Sequence, residues 1–393
     1  MMKVKQLPED FRVEELTDVI PGLVGSFGFY RLDKVGWTTH DAVSLICRHW
    51  KLDPKRLSYG GLKDRHAETR QYLTIHNGPE RNFEQNRIKL VHLGRTPEPF
   101  GSSLIRGNRF GLILRHLTKE QVDSALQALD HVRKFGVPNY FDDQRFGSVG
   151  RGGGYIAREM VHGRFEDALK LALVEPYEHD RGPAKREKAI LRGSWGDWFK
   201  LKAELPRGHA RNLVDYLLVH PADFKGAVAR LHPELGTLYL SAYQSYLWNR
   251  QLDRYLRYLL PATSLKEIEL KTGRSAVPTA INDVDLDEWK TLALPLLSAR
   301  VKTSTPAIDA LLAEEGLTLD KLKIPGMERP YFSKGERSAC LLPQAVTAEP
   351  GTDDLNAGRK LLRLNFELQR GSYATMIVKC VTSLLPLSET QPK

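Results

Sequence analysis

Tyr59-Gly60-Gly61-Leu62-Lys63-Asp64-Arg65-His66-Ala67-Glu68-Thr69-Arg70-Gln71 sets one carboxylate, Asp64, between two cations, Lys63 and Arg65, directly after a glycine pair. Paired glycines allow a tight turn with positive φ, and flanking cations favour the ionised acid. Downstream, apolar Leu73 and Ile75 alternate with Tyr72, Thr74 and His76, the period of a half-buried strand. Asp64 is therefore expected on a loop feeding a sheet edge. A rigid strand carrying an exposed loop is a common mount for a catalytic group. A solvated charged turn is the competing reading of the same residues.

Gly61 to Gln71 fills without a gap the signature Gly-x-Lys-Asp-(Lys or Arg)-x-Ala-x-Thr-x-Gln, and so resembles the tRNA pseudouridine synthase D (TruD) family. Three further motifs follow in the family's order: Pro8-Glu9-Asp10-Phe11, Asn139-Tyr140-Phe141 with Gln144-Arg145-Phe146-Gly147, and Gly371-Ser372-Tyr373-Ala374-Thr375. Gly107-Asn108-Arg109-Phe110 and Ser241-Ala242-Tyr243-Gln244-Ser245 extend the similarity, while the middle past Gly150 matches loosely.

The resemblance implies an α/β (α+β) pseudouridine synthase domain built on a mixed, mainly antiparallel sheet and interrupted by an inserted, mostly helical domain. Residues 1–150 and 342–393 would be catalytic and 151–341 inserted. It implies isomerisation of uridine to pseudouridine in tRNA, at position thirteen. Asp64 would be the essential aspartate and Lys5 a cation near it. Phe11, Asn139, Phe141 and Tyr373 would line the nucleotide pocket. Two residues depart from the pattern. Asp142 stands where the family most often has glycine, which questions the local loop shape, and Tyr373 stands where it usually has phenylalanine.

Composition sets the outer bounds. At 393 residues and 44.5 kDa, with 41% hydrophobic and 27% charged residues, the chain reads as globular with two domains. A net charge of +10 favours an anionic partner, nucleic acid first. With no long apolar run and no signal-like apolar core after Met1, a cytosolic protein with no membrane partner is expected. Cys47, Cys340 and Cys380 are far apart, and the twelve histidines show no metal-ligand spacing, so no metal site or disulfide framework is expected.

In chain order, Phe11 and Val13 alternate with Arg12 and Glu14 as a short strand. From the residues alone, Lys5 fits a solvated lysine and Phe11 a core position just as well. Thr38 begins a helix through Trp50, and Leu104 to Arg115 reads as a strand with three arginines that could follow a phosphate backbone. Thr118 with Gln121 caps an amphipathic helix to Phe135. Asn139 can bond the Watson–Crick edge of a pyrimidine while Phe141 stacks on it, although a turn after Pro138 over core phenylalanines is equally available. Gly150-Arg151-Gly152-Gly153-Gly154 lacks the residues of a nucleotide loop and reads as a hinge, with Arg151 a phosphate contact. Helices follow over 164–174, 187–199 and 240–260, the last carrying Arg250, Arg254 and Arg257 on one face. Leu362, Leu364, Phe366 and Leu368 alternate as a strand, and Gly371-Ser372 turns it into a helix from Tyr373.

Breaking an N-glycosidic bond, rotating the base and forming a carbon–carbon bond neither adds nor removes atoms, so no cofactor, metal or ATP is called for. The reaction needs a carboxylate at the sugar or base, a cage for the freed base and exclusion of water. tRNA, with other RNAs as further candidates, is the expected partner, and no obligate protein partner is indicated. Two rival readings keep the basic surface: an inert RNA-binding or chaperone protein, and an RNA hydrolase using a second acid such as Asp142 or Asp143.

Overall fold

Ten short alternating segments form one large sheet. They are β1 (Lys3–Val4), β2 (Phe11–Leu16), β3 (Phe27–Val35), β4 (Leu57–Tyr59), β5 (Glu68–His76), β6 (Phe83–Gln85), β7 (Ile88–Thr96), β8 (Gly107–Leu117), β9 (Gln344–Thr352) and β10 (Lys360–Gln369). The structure, a computed structural model, describes residues 2–150, 152–177 and 180–383, so Arg151 lies outside the described residues. The strand order is β9-β10-β8-β2-β5-β3-β7-β6, with β1 added to β8 and β4 to β5. Every pairing is antiparallel except β2 with β5, so the sheet is mixed and mainly antiparallel. The parallel pair is reached by a long crossover containing β3, the helix Thr39–Trp50 and β4, as parallel neighbours require.

Register assigns the two faces. Phe366, Phe110, Val13, Thr69, Lys34 and Ile88 stand opposite one another in a row across six strands. On one half of this face Phe110 packs 5.7 Å from Phe366 and 6.2 Å from Phe11, ring centre to ring centre. On the other, Tyr30, Leu32, Leu73, Ile75 and Leu90 bury against Ala42, Val43, Ile46 and Trp50 of the helix Thr39–Trp50. Thr38 caps that helix by accepting from the Asp41 N–H.

Between the two apolar halves runs a polar strip of half-buried Asn108 and buried Glu15 and Gln71. The opposite face carries a row of alternating charge: Glu367, Arg109, Glu14, Arg70, Asp33 and Lys89. Its ion pairs measure 2.7 Å (Arg109–Glu367), 3.3 Å (Arg109–Glu14), 3.2 Å (Arg70–Glu14) and 2.9 Å (Arg70–Asp33). Each such cross-strand pair adds roughly 0.2–1 kcal/mol. Arg109 is thus committed to carboxylates. Arg115, buried, binds Asp10, Asp353 and Asp354. Of the three arginines expected on this strand, only Arg106 is left with nothing closer than Glu367 at 4.0 Å.

Residues Met1–Val137 and Leu341–Lys393 form the packed unit of this sheet, and Pro138–Cys340 forms a second. The second unit is mostly helical, organised on the helix Pro233–Leu259, whose Leu240, Tyr243, Leu247, Trp248, Leu252 and Leu256 recur at three- and four-residue spacing and are buried. The packing division falls at Val137/Pro138 where the sequence reading places a limit at 150. The reason is Asn249 of the long helix, which accepts from the Phe141 N–H at 2.8 Å and donates to the Phe141 carbonyl at 2.9 Å. Lys271 adds two donors, its N–H to the Asp143 carboxylate and its ammonium to the Phe146 carbonyl. The glycine run after Val149 consequently lies inside this unit, where Gly152 N–H donates to Glu175.

Arg250 and Arg254 pair with Glu314, Arg250 also with Glu315, and Arg257 with Asp253 and Glu267. The expected helix over 187–199 is two helices, Gly182–Gly193 and Trp198–Glu204. Gly196 at φ 95° breaks the run, and the Asp197 side chain caps the second helix by accepting from Lys200 N–H.

Candidate active site

Asp64 sits in the loop joining β4 to β5, and three separate parts of the sheet unit hold that loop. Thr39, fully buried at the helix start, accepts from Lys63 N–H at 2.9 Å and donates to Gln71 Oε1 at 2.8 Å. Gln71 donates in turn to the Gly61 carbonyl at 3.3 Å. The Lys63 side chain turns inward, where its ammonium meets Asn108 Oδ1 at 2.7 Å and buried Glu15 at 3.0 Å. Glu15 also accepts from Tyr72 N–H.

Neither glycine before the loop takes a positive φ, contrary to the tight-turn expectation. Gly60 is needed for space instead: a Cβ there would lie 2.2 Å from Ile105 Cδ1. Gly61 faces open space.

With its main chain fixed, Asp64 presents a carboxylate whose side chain is 36% exposed. Lys5 Nζ donates to Oδ2 at 2.7 Å and His66 N–H to Oδ1 at 3.2 Å. Burial alone pushes this carboxyl up, but the hydrogen bond and charge of Lys5, aided by His66, outweigh it and hold the acid below the usual carboxylate range. Asp64 is ionised at neutral pH.

Lys5 reaches this position from a residue with φ 58°, a left-handed conformation unusual outside glycine. The turn that follows is tied by Asp10, which accepts from Leu7 N–H and is gripped by buried Arg115 at 2.9 and 3.1 Å. The Lys5 ammonium also lies 3.8 Å from the centre of the Phe11 ring, within cation–π range. Lys5, Phe11 and Asp64 therefore meet at one point. Phe11 itself is only 5% exposed, so much of it serves the core.

Tyr373 lies just past β10, after a turn at Gly371 (φ 84°), and immediately precedes the helix Ala374–Ser383. The end of β10 pairs Gln369 with Gly107 and Leu368 with Asn108, so Tyr373 follows the end of the sheet that carries the Lys63 partner.

Asn139 and Phe141 belong to the second unit. Asn139 Nδ2 donates to the Ser338 carbonyl at 2.9 Å, and Oδ1 accepts from Arg337 at 2.6 Å. A guanidinium can only donate and a carbonyl only accept, so these partners fix which way the amide points. Arg337 also lies 4.1 Å from the Phe141 ring centre, and Trp248 packs edge-on to that ring at 5.5 Å. Asp142 takes φ −83°, an ordinary extended value, so no left-handed geometry demands glycine there.

Sequence reading gave no site role to Lys34, Thr39, Glu15, Asn108 or Arg337. Lys34 and Glu15 carried a signal, since each stands in phase with the buried residues of its strand. Among the described residues no cluster of three or more His, Cys, Asp or Glu is placed to hold a metal, and no helix is long and apolar enough to cross a membrane.

The fold matches that of a class of RNA-modifying enzyme, the pseudouridine synthases. A crystal structure from Methanosarcina mazei whose description names tRNA pseudouridine synthase D aligns with a TM-score of 0.73 and 25% identity, covering 97% of this chain and 93% of that one. "Probable tRNA pseudouridine synthase D 1" of Methanococcus maripaludis is 32% identical over 98% of this chain and 100% of its own length. The tRNA pseudouridine synthase D of Aquifex aeolicus is 30% identical over 96% of this chain and 97% of its own. A family model described as tRNA pseudouridine synthase D (TruD) matches residues 1–381. The chain belongs to the tRNA pseudouridine synthase D family, a family of tRNA pseudouridine synthases.

Proposed function

We propose that this protein isomerises uridine to pseudouridine in tRNA, at position thirteen, with Asp64 as the essential carboxylate and no cofactor. The observation that carries the reading is the Lys5–Asp64 pair on a fully braced loop: an ionised carboxylate, held in place beside an aromatic ring, in a chain of this family. An ionised acid can attack the sugar or take a proton from it, and both steps require that it be charged. Lys5, aided by His66, favours that charge state against burial. Phe11, Asn139, Phe141 and Tyr373 are assigned to the extruded base, with the Asn139 amide reading its edge and aromatic rings taking its face. Residues 1–150 and 342–393 are assigned the chemistry, and 151–341 are assigned to tRNA. The excess of positive charge grips the backbone.

Nucleotide-resolved pseudouridine mapping on unmodified tRNA transcripts tests this, with the wild type and Asp64→Asn compared side by side. Signal at the uridine of position thirteen with wild type and none with the variant is the expected outcome. Equal signal from both removes Asp64 from the chemistry. Binding without modification by either favours an inert RNA-binding protein, and strand scission a hydrolase.

A further inference from the structure

Beneath the Asp64 loop lies a lysine that no motif accounts for. Lys34, on β3, is 1% exposed, and its ammonium donates to the main-chain carbonyls of Trp37 at 2.6 Å, Asp64 at 3.0 Å and Lys63 at 3.4 Å. A buried lysine is costly unless every N–H is used, and three carbonyls for three N–H groups is full use. Two of the three acceptors belong to the catalytic loop. We propose that Lys34 is the positioning residue of that loop: its buried ammonium draws in the Lys63 and Asp64 carbonyls and so aims the Asp64 carboxylate at the substrate.

This rests on the reading of Asp64 as the catalytic acid. A neutral amine in the same place has two N–H groups and a lone pair, and the lone pair must then face a carbonyl oxygen. Loss of the proton therefore loosens the loop. The neighbours of Lys34 across the sheet, Thr69 on β5 and Ile88 on β7, carry no charge. From the loop, Asp64 favours the charged form and Lys63 opposes it. Burial is the largest influence and brings the ammonium down to about 8.

Activity and stability then respond to pH in opposite directions. The folded Lys34 sheds its proton near pH 8, while the unfolded one holds it to about 10.4, so between those values the unfolded state binds more protons and stability rises with pH. The aim of Asp64 is lost over the same interval. A lysine with a purely structural role would move both readouts the same way.

The test follows single-turnover rate, tRNA affinity and denaturation midpoint from pH 7 to 10 for wild type, Lys34→Met and Lys34→Arg, with Asp64→Asn as reference. The wild-type rate should fall above pH 8 while its midpoint holds or rises. Lys34→Met should lose on the order of 10²-fold in rate at pH 7 with tRNA affinity unchanged, as a small misplacement of a reacting group does. Lys34→Arg keeps its charge and should move the alkaline limb upward, which ionisation of the substrate would not do. A wild-type rate in Lys34→Met, or wild-type rate and stability falling together with pH, overturns the proposal. Where Lys34→Met does not fold, Lys34→Arg keeps the test open: an alkaline limb that does not move in it overturns the proposal. If Asp64→Asn is inactive and Lys34→Met is not impaired, this inference alone fails. If Asp64→Asn is fully active, the reading beneath it fails.

Discussion

Lys5 lowers the pKa of Asp64 against the opposing effect of burial. Burial raises the acid while Lys5, aided by His66, lowers it, so Lys5→Met removes the larger of the two downward influences and leaves burial opposed by His66 alone. The acid limb of the pH–rate profile should accordingly move to higher pH in Lys5→Met, with the neutral-pH rate reduced. An unmoved limb would show that Lys5 does not set the ionisation of Asp64. Asp64 and Lys5 were singled out because family motifs pointed to them, since the charged run around Asp64 by itself fits a solvated turn just as well. Arg337 was not, since nothing in its own neighbourhood records that it meets Asn139, 198 positions earlier in the chain. Long-range polar partners leave no local trace.

At the level of elements, the loop is only as rigid as its side-chain braces. Thr39→Val keeps the shape of the residue but leaves Lys63 N–H without its acceptor and Gln71 Oε1 without its donor. A buried group deprived of its partner costs roughly 1–3 kcal/mol, so the unfolding free energy should fall by that amount, seen as a lower urea midpoint with an unchanged slope. A smaller loss would mean that the loop relaxes onto other acceptors. Helix starts at Thr38 and Thr118 were readable because their caps are local, as was the strand over 362–368 because its alternation is clean. The run over 187–199 misled because its apolar spacing continues across Gly196, where the backbone does not. The glycine pair misled for the opposite reason, because Gly60 is small for the sake of Ile105, a contact with no sequence signature.

For the molecule as a whole, the Arg115 cluster joins the start of the chain to its last part through Asp10 and Asp353. Burial opposes the charge of Asp353, yet the N–H groups of His116 and Leu355, the Asn356 amide and Arg115 outweigh it and bring the carboxyl down to about 2. A depressed acid stabilises the fold above its unfolded value, about 3.9, and that contribution is lost as pH falls through about 2. Acid denaturation of the sheet unit should therefore shift to lower pH in wild type than in Asp353→Asn, followed by near-ultraviolet circular dichroism. Coincident curves would remove Asp353 from the acid response. A mixed sheet was expected from the family pattern, but the crossed connection of its ends was not visible in any one segment.

The position of β10 between β8 and β9 also governs how the protein can be made. While the ribosome is still producing the 203 residues of Pro138–Cys340, β8 has β2 on one side and nothing yet on the other, exposing Phe110, Leu112 and Leu114 along a bare strand edge. Such an edge invites pairing with foreign chains. The sheet is completed only after the second unit has been made, so a chain cut short before Lys360 is left with an aggregation-prone edge on β8.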